Sequence, residues 1–270
     1  MHSQKIRDFQ KTIYSYYKTN GRKLPWRKTR DPYKILVSEI MLQQTQVHRV
    51  LQKYAEFIKR FPTFRVLAKA SLPQVLHAWQ GLGYNRRALA LKKIAEIVER
   101  EYGGRLPKSL ELLQKLPGIG PATAASISAF AWNAPSVFIE TNIRTVFIHF
   151  FLKNKKVVRD EEIGKLVLQT LNRNHSREWY WALMDYGAML KQQGVKYNPR
   201  SAHYTKQGKF IGSNREVRGK ILRALIAYPQ VSIQNLKEKI EIPKKRLSPI
   251  LNTLTREGFI KKQKGLYALQ

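Results

Sequence analysis

The chain has 270 residues, 43% of them hydrophobic, which is enough to bury a real core in one or two domains. Fifty Lys and Arg against eighteen Asp and Glu leave a formal charge of +32, so a polyanion, nucleic acid first, is the expected partner; the aromatic residues spread along the chain exclude disorder. With no cysteine at all, disulfides, iron–sulfur clusters, Cys-type zinc fingers and thiol nucleophiles are excluded.

The first stretch, MHSQKIRDFQKTIYSYYKTNGRK, is charged throughout and lacks the apolar run and cleavage site of a signal peptide. After LPWR (24–27), the run DPYKILVSEIMLQQTQV (31–47) predicts a helix on which Glu39 sits among Ile35, Leu36, Ile40, Met41 and Leu42. A carboxyl group in such surroundings is either paired or raised in pKa, and a raised one can donate a proton near neutrality; these residues alone leave both readings open. Gln43 and Gln44 read equally well as solvated helix residues. Helical spacing continues over 50–61, 73–82 and 87–103, with Gly103-Gly104 closing the last and Pro107 and Ser109 opening the next. Between them, GLGY (81–84) is either a packed corner or a stop that presents an aromatic wedge to a base stack.

The sharpest local signal is KSLELLQKLPGIGPATA (108–124), a short helix running through L-P-G-I-G into a second apolar helix. Glycines spaced by one residue let the backbone turn, and the N–H groups opening the next helix can clamp a phosphate. Leu116, Gly118, Gly120 and Thr123 are the expected contacts of this helix-hairpin-helix. The uncharged stretch 116–139 is long enough to span a bilayer, but its Pro and Gly residues mark it as a buried core segment instead. Helical patterns resume over 160–172 and 178–191.

Residues 192–213 lose periodicity and read as a basic connector, either facing DNA (Lys196, Tyr197, Arg200, His203, Tyr204, Lys206, Lys209, Phe210) or strapping the protein together. Beyond it, helices near 215–227, 232–240 and 244–257 and a hairpin around Lys264-Gly265 predict a winged helix-turn-helix. Lys244, Lys245 and Arg246 on its third helix and Lys261, Lys262 and Lys264 in the wing are expected to meet DNA, with a protein-binding winged helix as the alternative. His2, His48, His77, His149, His175 and His203 have no metal-ligand spacing, so no metal or cofactor is expected; His149 reads as a satisfied core residue.

Taken together, LPWR (24–27), Asp31-Pro32-Tyr33, SEIMLQQTQV (38–47), GLGY (81–84), LPGIG (116–120) with Thr123-Ala124, IETNI (139–143) and WALMDYGA (181–188) give the chain a resemblance. Over about residues 5–190 it resembles the helix-hairpin-helix (HhH-GPD) DNA glycosylases, and among them the MutY-type adenine glycosylases. The resemblance implies a mainly α, two-lobed glycosylase fold, here followed by a small winged-helix domain: 1–191 catalytic, 192–213 connector, 214–270 winged helix. It implies that a target nucleotide is flipped into a cleft, that Glu39 protonates the departing base, and that Asn142 assists. Gln44 and Tyr84 match residues that fill or wedge the stack, and Trp26, Arg27, Gln43 and Thr45 of the same motifs are expected at the DNA.

Four departures qualify the likeness. The family's second carboxylate is normally an aspartate, and here that position is Glu140, one methylene longer. Ala122 stands where bifunctional relatives carry a Schiff-base lysine, and no lysine occurs between 116 and 139, so a monofunctional enzyme is expected. No cysteine follows Leu190 to hold the family's iron–sulfur cluster, and a winged helix stands in place of the Nudix-like domain that reads 8-oxoguanine. The expectation is a base-excision-repair DNA glycosylase acting on double-stranded DNA with a mispaired or damaged base, adenine opposite guanine first. It would be a monomer without membrane attachment, at the nucleoid in the cytoplasm of a bacterium or archaeon and otherwise nuclear. The alternatives are a glycosylase for uracil, hypoxanthine or mismatched thymine, and a damage-binding protein without catalysis.

Overall fold

A computed structural model of the chain describes residues 3–202, 204–205 and 207–270. His2, His203 and Lys206, named above, lie outside the described residues. Fourteen α-helices are seen among them: α1 (Ser3–Asn20), α2 (Pro32–Leu42), α3 (Val47–Arg60), α4 (Phe64–Lys69), α5 (Leu72–Trp79), α6 (Arg86–Tyr102), α7 (Leu110–Lys115), α8 (Pro121–Trp132), α9 (Thr141–Phe151), α10 (Asp160–Thr170), α11 (Ser176–Gln192), α12 (Asn214–Ala227), α13 (Ile233–Ile240) and α14 (Lys244–Arg256). Strands β1 (Val231–Ser232), β2 (Ile260–Gln263) and β3 (Leu266–Leu269) form one antiparallel sheet in the order β1-β3-β2. The chain divides into two compact units, residues up to 39 with 106–206, and 40–105 with 207–270.

In the first unit, α1, α8, α9, α10 and α11 enclose a core rich in aromatic side chains, among them Phe9, Phe130, Phe138, Phe147, Trp179 and Tyr180. Phe9 meets Trp179 edge-on with ring centroids 5.6 Å apart, a geometry that suits the ring quadrupoles. Helix α8 is buried from Ala124 to Ala131, which explains why its sequence is apolar all round without being a membrane span. No helix among the described residues is long and apolar enough to cross a membrane. Asn133 ends α8 in the left-handed conformation, and Arg177 closes it by donating to the carbonyls of Phe130 (2.5 Å) and Ala131 (3.0 Å). His149 packs against Phe150 and Tyr197, but its buried Nδ1 has no partner, so the expected satisfied core histidine is packed without being satisfied.

In the second unit, α3–α6 present apolar stripes at three- and four-residue spacing, and Trp79, Phe57 and Leu67 are buried there. The short helix α4, capped by Thr63, falls between the helical stretches 50–61 and 73–82 that the sequence spacing marks. Helices α12–α14 and the sheet form the winged helix. Ser232 accepts from the Asn235 N–H and caps α13. Lys264 and Gly265, with φ of 47° and 79°, make the two-residue β2–β3 turn. The winged helix belongs to the same compact unit as α3–α6: Glu257 at the end of α14 accepts from both Arg86 on α6 and Arg218 on α12.

Candidate active site and nucleic-acid interface

Glu39 lies near the C-terminal end of α2, flanked by the fully buried Val37 and Ile40. The residue keeps some solvent contact, yet burial of its carboxyl raises the pKa from 4.5 to about 7; the Ser126 hydroxyl pulls it down and the charge of Glu140 pushes it up. Ser126 Oγ, on α8, lies 2.5 Å from Glu39 Oε2 and 3.0 Å from the Thr123 carbonyl oxygen. One hydroxyl hydrogen serves one acceptor at a time. When Glu39 is ionised, Ser126 donates to it; when Glu39 is protonated, Ser126 can turn to Thr123 and accept the carboxyl proton. The second helix of the hairpin is thereby wired to the titrating carboxyl.

Glu140 caps α9. Its Oε1 accepts from the backbone N–H groups of Asn142 (2.8 Å) and Ile143 (2.9 Å), and its Oε2 accepts from Asn142 Nδ2 (3.2 Å) and the Thr141 hydroxyl (3.3 Å). The longer side chain thus curls back over the helix start and both oxygens are fixed. Glu39, Glu140 and Asn142, named from sequence, are brought into one electrostatic neighbourhood.

Two residues that sequence reasoning missed hold Asn142. Gly187 on α11 is one: a Cβ there would lie 2.3 Å from the Asn142 carbonyl oxygen, so only glycine allows α9 and α11 to meet this closely. Lys191, one turn further on, donates to Asn142 Oδ1 (2.7 Å) and Thr141 Oγ1 (3.1 Å). Burial lowers its pKa, while Glu140 opposes the shift and Arg144 adds to it.

Trp26 and Arg27 are not presented as DNA contacts. Trp26 is buried, and the Arg27 guanidinium, its side chain 6% exposed, grips Asp185 through two bonds of 2.8 Å. Arg22 completes the clamp with its backbone N–H (2.8 Å) and Nε (2.5 Å). Burial would raise the Asp185 pKa, but Arg27 and Arg22 outweigh it and the net shift is downward. The partners of Asp185 lie about 160 residues away in the chain.

The hairpin turn forms as the spacing predicted. Gly118 takes φ +76°, and Gly120 begins α8 without a side-chain cap. Gly118 and Gly120 are exposed and Thr123 partly so, whereas Leu116 is 3% exposed and supports the turn from inside instead of facing a partner.

In the second unit, Arg87 organises both motif loops. Its Nη1 donates to the carbonyls of Ile40 (3.0 Å), Met41 (2.6 Å) and Gln43 (2.5 Å). Its Nη2 donates to Thr45 Oγ1 (2.9 Å) and the carbonyls of Leu82 and Gly83 (both 3.1 Å). The guanidinium lies over the rings of Trp79 and Tyr84, and burial lowers its pKa to about 10. Gln44 and Tyr84, the two expected stack-filling residues, both have positive φ (54° and 48°), a strained conformation for a side-chain-bearing residue, and one cation holds the loop on which each sits. Gln44 is exposed and Tyr84 partly so; the Tyr84 hydroxyl also meets Gln207 and Arg215. Thr45 is an inward partner of Arg87, and Gln43 offers its carbonyl to the same group.

On the winged helix, Lys244, Lys245, Lys261, Lys262 and Lys264 are exposed, while Arg246 is half-buried and donates to the Gly212 carbonyl. The early connector behaves as a strap: Val158 pairs with Ser201, and Arg200 donates to the Lys153 carbonyl at 2.7 Å. Its later aromatics, Tyr204 and Phe210, are exposed. Among the described residues, no group of three or more His, Asp or Glu is placed to hold a metal ion.

Comparison with known proteins gives this arrangement its context. Residues 37–172 match the family model described as HhH-GPD superfamily base excision DNA repair protein. The chain is 39% identical over 197 residues to an adenine DNA glycosylase of Buchnera aphidicola, covering 71% of this chain and 54% of that protein, so it spans about half of that relative's length. It is 31% identical over 235 residues to an adenine DNA glycosylase of Mycobacterium tuberculosis, covering 80% of this chain and 77% of that one. Among solved structures, a thermostable thymine-DNA glycosylase superposes with a TM-score of 0.63 at 26% identity, covering 74% of this chain and 97% of that one. An endonuclease III–DNA complex, at 18% identity and TM-score 0.59, covering 68% and 85%, shares the fold. The chain belongs to the HhH-GPD superfamily of base excision DNA repair proteins.

Proposed function

We propose that the protein is a monofunctional DNA glycosylase that releases a mispaired adenine, opposite guanine first, from double-stranded DNA. The observation that carries this reading is the pairing of a carboxyl raised to about 7 with a second carboxylate fixed by four donors. Protonated Glu39 gives its proton to the ring nitrogen of the flipped base, and the N-glycosidic bond breaks with its electron pair leaving on the base. Glu140 stabilises the positive sugar, and water adds at C1′ and loses a proton, leaving an abasic site. Asn142 holds Glu140. The resemblance to adenine DNA glycosylases supports the choice of base. Ala122 and the absence of lysine from 116 to 139 support the lack of strand cleavage through a lysine at the family's position.

In this reading residues 1–191 carry catalysis, 192–213 connect, and 214–270 add duplex affinity. Gly118, Gly120 and Thr123 meet a phosphate, Gln44 and Tyr84 fill the vacated stack, and Lys244, Lys245, Lys261, Lys262 and Lys264 contact the backbone. The protein acts as a monomer, in the cytoplasm at the nucleoid in the manner of a bacterial enzyme. A second reading, removal of mismatched thymine, is favoured by the likeness to the thymine-DNA glycosylase. Duplexes with single A:G, A:8-oxoG, U:G, T:G and hypoxanthine:T pairs, incubated with protein and then alkali, separate the readings. Alkali-dependent breaks at adenine are expected; breaks confined to thymine would replace the substrate, and binding without breaks in any duplex would end the enzymatic reading.

A further inference from the structure

The side-chain amide of Asn142 has two unlike ends, and both are engaged. Nδ2 donates to Glu140 Oε2 at 3.2 Å, and Oδ1 accepts from Lys191 Nζ at 2.7 Å. With the amide reversed, Oδ1 would face a carboxylate oxygen and Nδ2 an ammonium, acceptor against acceptor and donor against donor. The lysine therefore selects the orientation in which the amide serves Glu140. Its second bond, to Thr141 Oγ1 at 3.1 Å, directs that hydroxyl's hydrogen onward to the same Glu140 Oε2 at 3.3 Å. Both routes from Lys191 end on one carboxylate oxygen. Gly187 and Lys191 are four residues apart and so share a face of α11, which is why the close crossing at Gly187 brings the ammonium to Asn142. The charged groups acting around this cluster are Glu140, Glu39 and Arg144, the last paired with Asp160 at 2.7 Å.

We propose that Lys191 is a positioning residue for the second carboxylate: its ammonium orients the Asn142 amide and the Thr141 hydroxyl, and these two donors aim Oε2 of Glu140. This rests on the reading of Glu140 as the group that stabilises the sugar. A cation here does not need to touch DNA, which separates this role from the phosphate contacts expected of the surface lysines.

The full chain carrying Lys191→Met, with Lys191→Arg and Lys191→Gln beside it, tests the proposal through single-turnover base release, duplex affinity across a salt series, and NMR of the Asn142 side-chain amide in the free protein. Lys191→Met is expected to slow release at least tenfold, with affinity and its salt dependence unchanged within twofold. Lys191→Arg is expected to recover at least a third of the rate. Added to the double variant Thr141→Ala/Asn142→Ala, Lys191→Met is expected to slow release by less than a further twofold, because both routes from the ammonium to Glu140 are then already cut. The Asn142 amide signals are expected to shift in Lys191→Met. Unmoved signals, multiplying rate losses, or a weakened affinity with a shallower salt dependence would overturn it, the last marking a phosphate contact. If Lys191→Met does not fold, Lys191→Gln carries the same comparisons. A wild-type protein that releases no base from any duplex would overturn the catalytic reading instead, and the amide signals would then still decide what Lys191 does.

Discussion

Glu39 and Arg87 are both ionisable groups set into apolar surroundings, one in each unit, and the protein treats them in opposite ways. Around Glu39 it supplies a single hydroxyl and a like charge, so the carboxyl takes up a proton near neutrality and the cost of burying an anion is avoided. Around Arg87 it supplies five carbonyls, a hydroxyl and two aromatic faces, so the cation stays charged and becomes a structural hub. A buried charge given few partners is available for chemistry; one given many is available only for architecture.

The contrast breaks most sharply at Glu39 itself. Glu39→Gln keeps the shape and removes the proton, and base release should fall by roughly 10²–10⁴-fold in single-turnover assays while the duplex is still bound. A loss under tenfold would mean that the proton comes from elsewhere. The same variant reads the burial of the carboxyl. Because the folded pKa is raised, the stability advantage of wild-type Glu39 is fully present below pH about 4.5 and is lost as pH rises through about 7. Glu39→Gln should therefore gain on the order of 1–3 kcal/mol relative to wild type between pH 4 and 8, measured by denaturant unfolding.

On the other side, Arg87→Met should destabilise by about 3–5 kcal/mol, since its carbonyl partners lose their donors together. A cost below 1 kcal/mol would show that these carbonyls have other partners and that Arg87 is no hub. Smaller still, Ser126→Ala removes the hydrogen bond that lowers the Glu39 pKa, so that pKa should rise. In the proposed mechanism protonated Glu39 is the active form, so base release falls above its pKa, and the alkaline limb of the rate profile should move to higher pH in Ser126→Ala. An unmoved limb would assign that limb to another group. The smallest effect is expected of Glu140→Asp: an aspartate can also cap α9 through the same N–H groups, and the rate should stay within about threefold of wild type. Complete loss would show that the pocket is built around the longer side chain.

The two centres also differed in how far they could be read from sequence. Glu39 was visible as a carboxyl on an apolar helix, whereas its role, and Glu140 and Asn142 altogether, came from the resemblance to the glycosylases. The LPGIG turn was legible from local chemistry, glycines at a tight corner. The hairpin around Lys264-Gly265 was legible for the same reason. Arg87 was not, because its acceptors are backbone carbonyls contributed by residues 40–43 and 82–83, and a carbonyl carries no residue identity. Asp185, Gly187 and Lys191 were missed as functional because their partners are 45 to 163 residues distant. Arg27 misled in the other direction: a cation in a DNA-associated motif looks like a phosphate contact until Asp185 is found across from it.

The missing methyl group at Gly187 has a genetic consequence. Every amino acid reachable from a glycine codon by one nucleotide change carries a Cβ, and any Cβ at this position meets the Asn142 carbonyl at 2.3 Å. Drift at residue 187 is therefore coupled to displacement of the helix that bears Glu140 and Asn142. In the proposed mechanism, selection on Glu140 and Asn142 extends to a residue that contributes no side-chain atom of its own.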